Sequence, residues 1–377
     1  MQQTLRLGKI FGIPVGIHYS WLFIFLLVTF SLATQYFPAD SPRWGTGVYW
    51  LLGVVTSLLF FGSVLLHELA HSVVALARGI PVKSITLFVF GGVSQISKDA
   101  PSPGEELQIA IVGPLTSLAL AGIFWGVRQA GISPQVNSMA WLLSLINLQL
   151  AVFNMIPGFP LDGGRVFRSV VWRIGGDYRK ATRLAALVGQ GFGFLFILGG
   201  VLWAFGAIPG LQQNLVSGLW FALIGWFLQS SAASSYGQVR LRDALRGVRA
   251  QDLMARDCAL VSPNMTVREL VDHHVLPMSR RCVVAADSED RLLGLVTLRD
   301  IRTVPRERWD ITLVREVMVP RERLVLAGPA DEAVLILERM DESDVSQVPV
   351  VQDGKVVGMV GRDNVLHYLR TRSELGF

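Results

Sequence analysis

The residues best suited to catalysis lie in one apolar stretch, GSVLLHELAHSVVALA, which contains His67, Glu68 and His71. In a helix, a spacing of four residues places both imidazoles one turn apart on the same face. Two imidazole nitrogens placed in this way bind one Zn²⁺, and Glu68 projects beside them as a candidate general base. Two histidines and a glutamate are costly in an apolar helix without partners, which favours a metal site over a chance pattern.

A catalytic zinc ion needs a third protein ligand and an open position for water, and Asp162 is the best candidate for that ligand. It lies in the segment 154–165, NMIPGFPLDGGR. There the prolines would end a helix and the glycines permit a close turn. A carboxylate at such a place is costly unless it is paired or bound to metal. The alternative is an aspartate that caps a helix or stabilises the turn.

The charged residues divide the chain into two parts. Residues 1–240 hold 14 Lys/Arg and 7 Asp/Glu, whereas residues 241–377 hold 20 and 22. The first composition is typical of a membrane protein and the second of a soluble domain. Because the net charge of +5 arises in the membrane part, it indicates membrane topology, and no nucleic-acid partner is expected.

Six apolar stretches are long enough to cross a bilayer, which requires about 20 residues. They cover about 15–37, 48–77, 104–127, 138–156, 182–206 and 213–235. The segment 80–97 differs, because it is short, rich in β-branched residues and ends in FVFGGVSQIS. This pattern predicts a strand or hairpin between the second and third spans.

Lysine and arginine residues predict the orientation, because they concentrate on the cytoplasmic side of a membrane. One side carries Arg6, Lys9, Arg78, Lys83, Lys98, Arg165, Arg168, Arg173, Arg179, Lys180 and Arg183, and the other carries Arg43 and Arg128. We therefore expect an integral protein of a prokaryotic cell (inner) membrane with both termini cytoplasmic. The second and fourth spans then both end on the cytoplasmic side, so His67, His71 and Asp162 are expected to meet near one membrane depth.

With both motifs in view, residues 1 to about 235 resemble the site-2 protease family of intramembrane zinc metalloproteases. The resemblance rests on HELAH, the strand segment with Gly91-Gly92, Gly113-Pro114 in the third span, and FNMIPGFPLDGGR, in that order. It implies one Zn²⁺ per chain, bound by His67, His71 and Asp162. It also implies that Glu68 is the catalytic acid/base.

The resemblance further implies that Asn154 positions the substrate or the oxyanion, and that residues near Gly91 and Gly92 bind the substrate. A transmembrane helix hides its peptide bonds in internal hydrogen bonds, so cleavage requires local unwinding. A strand edge at 85–94 can receive the unwound segment by β-addition. The alternatives are a helix-ending asparagine and a plain turn. His18, in GIHYSW, is interpreted as a residue of the headgroup region.

The soluble part contains an internal repeat over about residues 250–371. Each unit has an opening turn with Met, an apolar strand, a helix, a strand of V-V or V-P-V-V type, an acidic turn and a G-[LM]-V strand. This resembles a tandem pair of cystathionine-β-synthase-type (CBS) domains. The predicted bounds are 250–306 and 312–372, after a linker at 236–249.

Such pairs often bind adenine nucleotides through a Thr/Ser and an Asp that follow the last strand. The resemblance therefore implies Thr297 and Asp300 as binding residues for ATP or another adenine nucleotide. The second unit has Gly361 and Asn364 at these offsets and departs from the pattern. The alternative is a dimerisation module without a ligand.

Together these features predict a polytopic α-helical membrane protein with about six transmembrane helices and a short β segment, followed by a C-terminal α/β tandem CBS module. The expected activity of residues 1–235 is zinc-dependent cleavage of a transmembrane segment in a membrane-protein substrate, in regulated intramembrane proteolysis under nucleotide control. The expected partners are that substrate, the lipid bilayer and a second copy bound through the CBS pair. The alternatives are a CBS-regulated transporter or channel and a catalytically inactive scaffold that binds membrane helices.

Overall fold

Two compact units divide the chain, one up to Val239 and the other from Arg240 onward. The computed structural model describes residues 5–97, 99–210, 212–256, 258–277 and 282–374. Each unit is built around its own buried side chains.

Helices, most of them long and apolar, form most of the first unit. In chain order they are α1 (Tyr19–Ser31), α2 (Phe37–Asp40), α3 (Thr46–Ala77), α4 (Pro103–Gln129), α5 (Pro134–Asn154), α6 (Asp162–Gly175), α7 (Tyr178–Ala204) and α8 (Leu215–Ala244). A π-helical turn, Leu32–Tyr36, joins α1 to α2, and the three form one span, Tyr19–Asp40. With α3, α4, α5, α7 and α8, six helices among the described residues are long and apolar enough to cross a bilayer, which confirms the predicted fold.

Capping residues fix where the third and fourth spans begin. Ser102 accepts a hydrogen bond from the backbone N–H of Glu105, and Ser133 accepts one from Val136. In both cases a proline occupies the first helical position, where its missing N–H costs nothing. The fourth span accordingly starts at residue 134, earlier than the apolar pattern alone predicts.

Apolar side chains cover the outside of these helices. Leu26, Leu118, Phe194 and Leu219 are each exposed by half or more. Water would make such a surface costly, whereas lipid tails solvate it, and the helices satisfy their own backbone polar groups. The first unit is therefore an integral membrane domain.

A four-stranded sheet accompanies the helices. Its strands pair in the order β1 (Leu5–Ile10), β2 (Ile13–Ile17), β3 (Val82–Phe88) and β4 (Gly91–Ile96). β2 and β3 are parallel, and the other neighbouring pairs are antiparallel. β3 and β4 form a hairpin in the segment predicted as a strand or hairpin. The first two strands have no counterpart among the predicted elements; Ile13 and Val15 of β2 are buried with Leu69 of α3.

α6 is a further element without a counterpart among the predicted ones. It begins at Asp162 and ends before Gly176, whose φ of 67° is the left-handed conformation that favours glycine at a helix end. Gly163 and Gly164 at its start are poor helix formers, which explains why the sequence pattern indicates a turn. One face of α6 is buried, including Arg168, while Ile174 is 84% exposed.

The second unit contains short helices and two sheets. Its elements are α9 (Ala250–Leu253), β5 (Leu260–Val261), α10 (Val267–Leu270), β6 (Cys282–Ala286), β7 (Leu292–Thr297), α11 (Leu298–Arg302), α12 (Val314–Val317), β8 (Val319–Pro320), α13 (Ala333–Glu342), β9 (Gln347–Gln352), β10 (Lys355–Gly361) and α14 (Arg362–Glu374). A π-helical turn, Val271–Val275, continues α10. Strands β5 to β8 form one sheet in chain order, and β9 pairs with β10 in another.

Each repeat has a core of its own, and the chain that precedes the first repeat joins the core of the second. Leu245 and Leu253 are buried in one cluster with Ile336. Leu270 and Val296 belong to a separate cluster in the first repeat. The two repeats therefore interlock, and part of the segment predicted as a linker is buried in the second core.

Candidate metal centre

Three side chains from two distant segments meet in the membrane unit. His67 and His71 lie one turn apart on α3, and Asp162 is the first residue of α6. Asp162 Oδ2 lies 3.0 Å from His67 Nε2 and 3.1 Å from His71 Nε2, and the two nitrogens are 3.2 Å apart. A tetrahedral zinc ion with bonds of about 2.0 Å separates its ligand atoms by about 3.3 Å. The three atoms therefore need little movement to hold zinc.

The outer nitrogens of both imidazoles have hydrogen-bond partners on α4. His71 Nδ1 lies 2.5 Å from the carbonyl oxygen of Ile109, and His67 Nδ1 lies 2.9 Å from Ser117 Oγ. Because a carbonyl only accepts, His71 Nδ1 carries a proton, and its Nε2 presents a lone pair when the ring is neutral. A hydroxyl also accepts, so His67 can take the same tautomer. Two lone pairs and a carboxylate oxygen that converge in this way repel one another unless a cation lies between them, and this donor set fits zinc.

Within the described ranges, this is the single group of side chains that could hold a metal ion. Among the His, Cys, Asp and Glu side chains in the part of the chain that the structure describes, only those of His67, His71 and Asp162 come close enough together to hold an ion. Both histidines are 3% exposed. The sequence prediction that one aspartate joins the histidine pair thus has a geometric counterpart, while its role as a ligand stays a prediction.

Gly113 on α4 leaves the room that the two imidazoles need. A Cβ at this position would overlap His71 Nε2 and would lie 2.7 Å from His67 Nε2, closer than real Cβ contacts come. The sequence pattern gave Gly113 no spatial role, since a glycine in a spanning helix also serves ordinary close packing. Its position in the structure identifies it as part of the wall of the candidate metal centre.

Glu68 lies between the histidines in the chain and faces strand β4. A Cβ at Gly92 would come within 2.5 Å of Glu68 Cγ, so only a glycine lets the strand pass this close to the side chain. Two residues further along β4, Ser94 Oγ lies 2.5 Å from Ser72 Oγ on α3. Gly91 has a different role, because its φ of 127° is a conformation that only glycine adopts readily.

An apolar cavity of about 370 Å³ opens onto these groups. Its polar wall contains His67, Glu68 and Asn154, and the backbone of Gly91 and Gly92. Apolar side chains from α1, α3, α5 and α8 form most of the rest, including Ile24, Val28, Phe60, Val64, Phe153, Trp220 and Phe227. The volume lies within the usual range of ligand pockets, about 300–1,000 Å³, and the lining suits apolar side chains.

Asn154 is the last residue of α5 and lines the same cavity. Its Nδ2 donates a hydrogen bond to the carbonyl oxygen of Leu150 at 3.0 Å. This bond is the one expected of an asparagine that ends a helix, but the amide has a second N–H. Both interpretations of Asn154 are therefore compatible with its position.

His18 and the predicted nucleotide residues have local partners. His18 caps α1, since its Nδ1 accepts a hydrogen bond from the backbone N–H of Ser20 at 3.3 Å. In the second unit, Thr297 donates to Asp300 Oδ2 from Oγ1 at 2.6 Å and from its backbone N–H at 2.8 Å. This is a capping box at the start of α11. The structure brings Thr297 and Asp300 together as a helix cap, and their role in nucleotide binding stays a prediction.

Comparison with known proteins gives two family matches. The model for peptidase family M50 matches residues 55–133 and 127–198, and the CBS domain model matches residues 250–307 and 314–371. The first match contains the paired histidines, and its second segment contains Asp162. The second match covers both repeats of the soluble unit and confirms the predicted CBS pair.

Three relatives match the chain over nearly its whole length. The chain is 36% identical over 98% of its length to sll0528 of Synechocystis sp. and covers 97% of it. It is 36% identical over 97% of its length to Rip3 of Mycobacterium tuberculosis and covers 92% of it. The names of both describe them provisionally as zinc metalloproteases. Zinc metalloprotease MJ0392 of Methanocaldococcus jannaschii is 29% identical over 97% of the chain, which covers 96% of it.

A solved structure with related sequence is among the matches. It is the site-2 protease from Methanocaldococcus jannaschii, which is 30% identical to this chain. The match covers 62% of this chain and 94% of that one, with a TM-score of 0.43.

Proposed function

Because this chain belongs to peptidase family M50, the site-2 protease family of zinc metalloproteases, and carries a CBS domain pair, we propose that it cleaves a transmembrane segment of another membrane protein. One observation carries the proposal. Two imidazoles and a carboxylate converge beside an apolar cavity, in a unit with six helices able to cross a bilayer. An apolar cavity next to a hydrolytic centre fits the residues of a membrane-spanning substrate.

The substrate segment must be extended where it is cut, because a helix hides its peptide bonds in internal hydrogen bonds. Strand β4 is the last strand of its sheet and pairs with β3 on one side. Its residues Gly91 and Gly92 line the cavity beside Glu68. We assign this strand to substrate binding by β-addition, with the apolar wall of the cavity receiving the side chains.

The residues of this chain divide the chemistry among them. His67, His71 and Asp162 hold zinc, and the bonds of the imidazoles to Ser117 and Ile109 fix the ring orientations. When bound, zinc supplies Lewis acidity to the scissile carbonyl and to the attacking water. Glu68 takes a proton from that water and gives one to the leaving amide nitrogen. The remaining N–H of Asn154 is assigned to the oxyanion that develops on the substrate.

Topology and location are further parts of the proposal. The basic residues of α6 and of the loops support a cytoplasmic position for these segments, because Lys and Arg concentrate on that side of a membrane. Both termini are then cytoplasmic, in a prokaryotic cell membrane. Cleavage near this side releases the product towards the cytoplasm.

The soluble unit is proposed to regulate the protease. We assign its CBS repeats to residues 250–306 and 312–372, a homodimer contact to this pair, and binding of ATP or another adenine nucleotide to Thr297 and Asp300. What supports the nucleotide site is the position of the two residues just where the family pattern has them: Thr297 ends β7, and Asp300 follows in the first turn of α11. A nucleotide there competes with the hydrogen bonds of the cap, so its binding changes the start of α11.

A cleavage assay in proteoliposomes tests the proposal. Purified protein is reconstituted with single-span substrates, with and without a zinc chelator, and with and without ATP. We expect cleavage within the span, loss of cleavage with chelator and its return with added zinc. Glu68→Gln is expected to lower the rate by about 10²–10⁴-fold, the contribution of a general acid–base group, while Glu322→Gln at an exposed position leaves it unchanged. Chelator-resistant cleavage, or cleavage by Glu68→Gln at the wild-type rate, contradicts the proposal.

A further inference from the structure

A buried ion pair lies outside the metal centre and has no part in the chemistry described above. Glu106 on α4 is 0% exposed and Arg168 on α6 is 7% exposed. Arg168 Nε donates a hydrogen bond to Glu106 Oε1 at 2.8 Å, and Arg168 Nη2 contacts the same oxygen. Desolvation largely offsets the attraction in such a pair, so stability alone does not explain it. A buried pair is more useful where it fixes one geometry among several.

The guanidinium of Arg168 is held on its other sides as well. Nη1 donates to the hydroxyl of Tyr178 at 2.7 Å. The rings of Phe159 and Tyr178 lie 4.9 and 4.7 Å from the guanidinium carbon. Because the group is planar and its donors are fixed in direction, these contacts leave it one position. Phe159 belongs to the turn just before Asp162, so Arg168 holds both that turn and α6.

α4 is the common partner of all three candidate zinc ligands. The carbonyl of Ile109 and the hydroxyl of Ser117 orient the two imidazoles, and Gly113 lies against their Nε2 atoms. Glu106, on the same helix, holds α6. These four positions are three or four residues apart and therefore lie on one face of α4. The face that orients the histidines also fixes the helix that carries the aspartate.

We propose that the Glu106–Arg168 pair positions Asp162 as the third zinc ligand. Asp162 is the first residue of α6, and Arg168 lies six residues further, about 9 Å along the helix axis. Over so short and stiff a distance, a shift of α6 at Arg168 moves Asp162 by a similar amount. Ligand distances in zinc sites lie within about 0.2 Å of their usual values, so a displaced carboxylate binds the ion less well. Loss of the pair therefore weakens zinc binding before it unfolds the protein.

The inference rests on the proposed function, in that the centre binds zinc, and it is tested by zinc affinity. The full-length variants Arg168→Met and Arg168→Lys are compared with the wild type. Arg173→Met is the matched control, because Arg173 is an exposed arginine on the same helix. The measurements are the zinc dissociation constant by chelator competition, thermal unfolding of the zinc-free protein, and kcat and KM with increasing zinc.

We expect Arg168→Met to bind zinc about 10–100-fold more weakly, the effect usual for groups that orient metal ligands. Arg168→Lys keeps the charge and falls in between, and Arg173→Met matches the wild type. Excess zinc restores kcat of Arg168→Met, with KM unchanged. Wild-type affinity in Arg168→Met overturns the inference, and so does a loss of affinity no larger than the loss of stability explains.

A double variant separates positioning from stability. In Glu106→Met/Arg168→Met neither a charge nor an amide is left buried without a partner, and the nearby Arg165 is 23% exposed. Replacement of a buried ion pair by apolar residues of similar volume often leaves stability unchanged. We expect this variant to unfold at the wild-type temperature and still to bind zinc about 10–100-fold more weakly. If Arg168→Met does not fold, the double variant and Arg168→Lys decide the matter, and wild-type affinity in both overturns the inference. A wild type that binds no zinc contradicts the proposed function instead.

Discussion

The membrane unit and the soluble unit each contain an aspartate that the sequence marks as functional, and the two aspartates have different surroundings. Asp162 accepts contacts from two histidines more than ninety residues earlier in the chain. The carboxylate of Asp300 accepts two hydrogen bonds from Thr297, three residues away. The contacts of Asp162 join two distant segments of the chain, whereas those of Asp300 form a local helix cap. Convergence over long sequence distances is therefore the stronger evidence for a site.

The second CBS repeat has a helix cap at the position that corresponds to Thr297 and Asp300. There the backbone N–H of Gly361 donates to Asn364 Oδ1 at 2.8 Å, at the same place in the repeat as the cap of Thr297 and Asp300. The cap thus persists where the nucleotide pattern is lost. A capping function explains both repeats, whereas nucleotide binding is proposed for the first repeat alone.

Replacement of each aspartate by asparagine should give the largest difference between the two units. Asp162→Asn removes the charge of the proposed third zinc ligand, so we expect loss of bound zinc and of cleavage. Asp300→Asn weakens a cap and should leave zinc content unchanged. Metal analysis of the purified full-length variants measures both. Stoichiometric zinc in Asp162→Asn would break the comparison.

A methyl group on α4 should have the next largest effect. In Gly113→Ala the new Cβ meets both imidazoles, so we expect zinc affinity to fall by about 100-fold, the upper end for a change in the surroundings of metal ligands. Gly122→Ala on the same helix is the control, because no atom lies within 4 Å of its added Cβ. Chelator competition compares the two variants. Equal affinities would mean that α4 does not wall the metal centre as described.

Gly92→Ala should affect the chemical step more than the metal. The added Cβ displaces Glu68, and a misplaced catalytic group costs about 10²-fold in rate. We expect kcat to fall to that extent while zinc content stays at the wild-type level. Gly122→Ala on α4 serves as the control, because no atom lies within 4 Å of its added Cβ. A normal kcat in Gly92→Ala would separate Glu68 from the reaction.

Thr297→Ala should have the smallest effect. Loss of a helix cap costs about 1 kcal/mol, so the soluble unit is expected to unfold more easily, with no change in zinc affinity. Denaturant unfolding followed in the full-length protein measures the loss. The same experiment with ATP present extends the comparison. Stabilisation of the wild type by ATP that disappears in Thr297→Ala would favour the nucleotide function over the cap alone.

Much of the structure of the membrane unit can be predicted from its sequence. The long apolar runs and the spacing of the histidines are local patterns that one sequence shows. The six spans, the segment of the β3–β4 hairpin and the candidate group of His67, Glu68 and His71 are of this kind. α6 is not, since Gly163 and Gly164 hide its helical pattern. Gly113 and the pair of Glu106 and Arg168 depend on the approach of α4 to two other helices. Such contacts leave no periodic signal in one sequence.

In the soluble unit, too, only part of the structure can be predicted from the sequence. Its repeats are visible in the sequence because each one repeats the same order of strands and helices. The sequence does not show that Leu245 and Val248, which precede the first repeat, belong to the core of the second. Neither residue differs locally from a helix end or a linker. Only the structure shows that they belong to this core.

Zinc X-ray absorption spectroscopy on the purified full-length protein tests the central claim most directly. We expect one zinc ion per chain, with two imidazole nitrogens and one carboxylate oxygen at about 2.0–2.2 Å. In Asp162→Asn we expect the carboxylate contribution to be lost, together with most of the metal. A wild-type protein without stoichiometric zinc, or with zinc held by sulfur or by a single imidazole, would contradict the account.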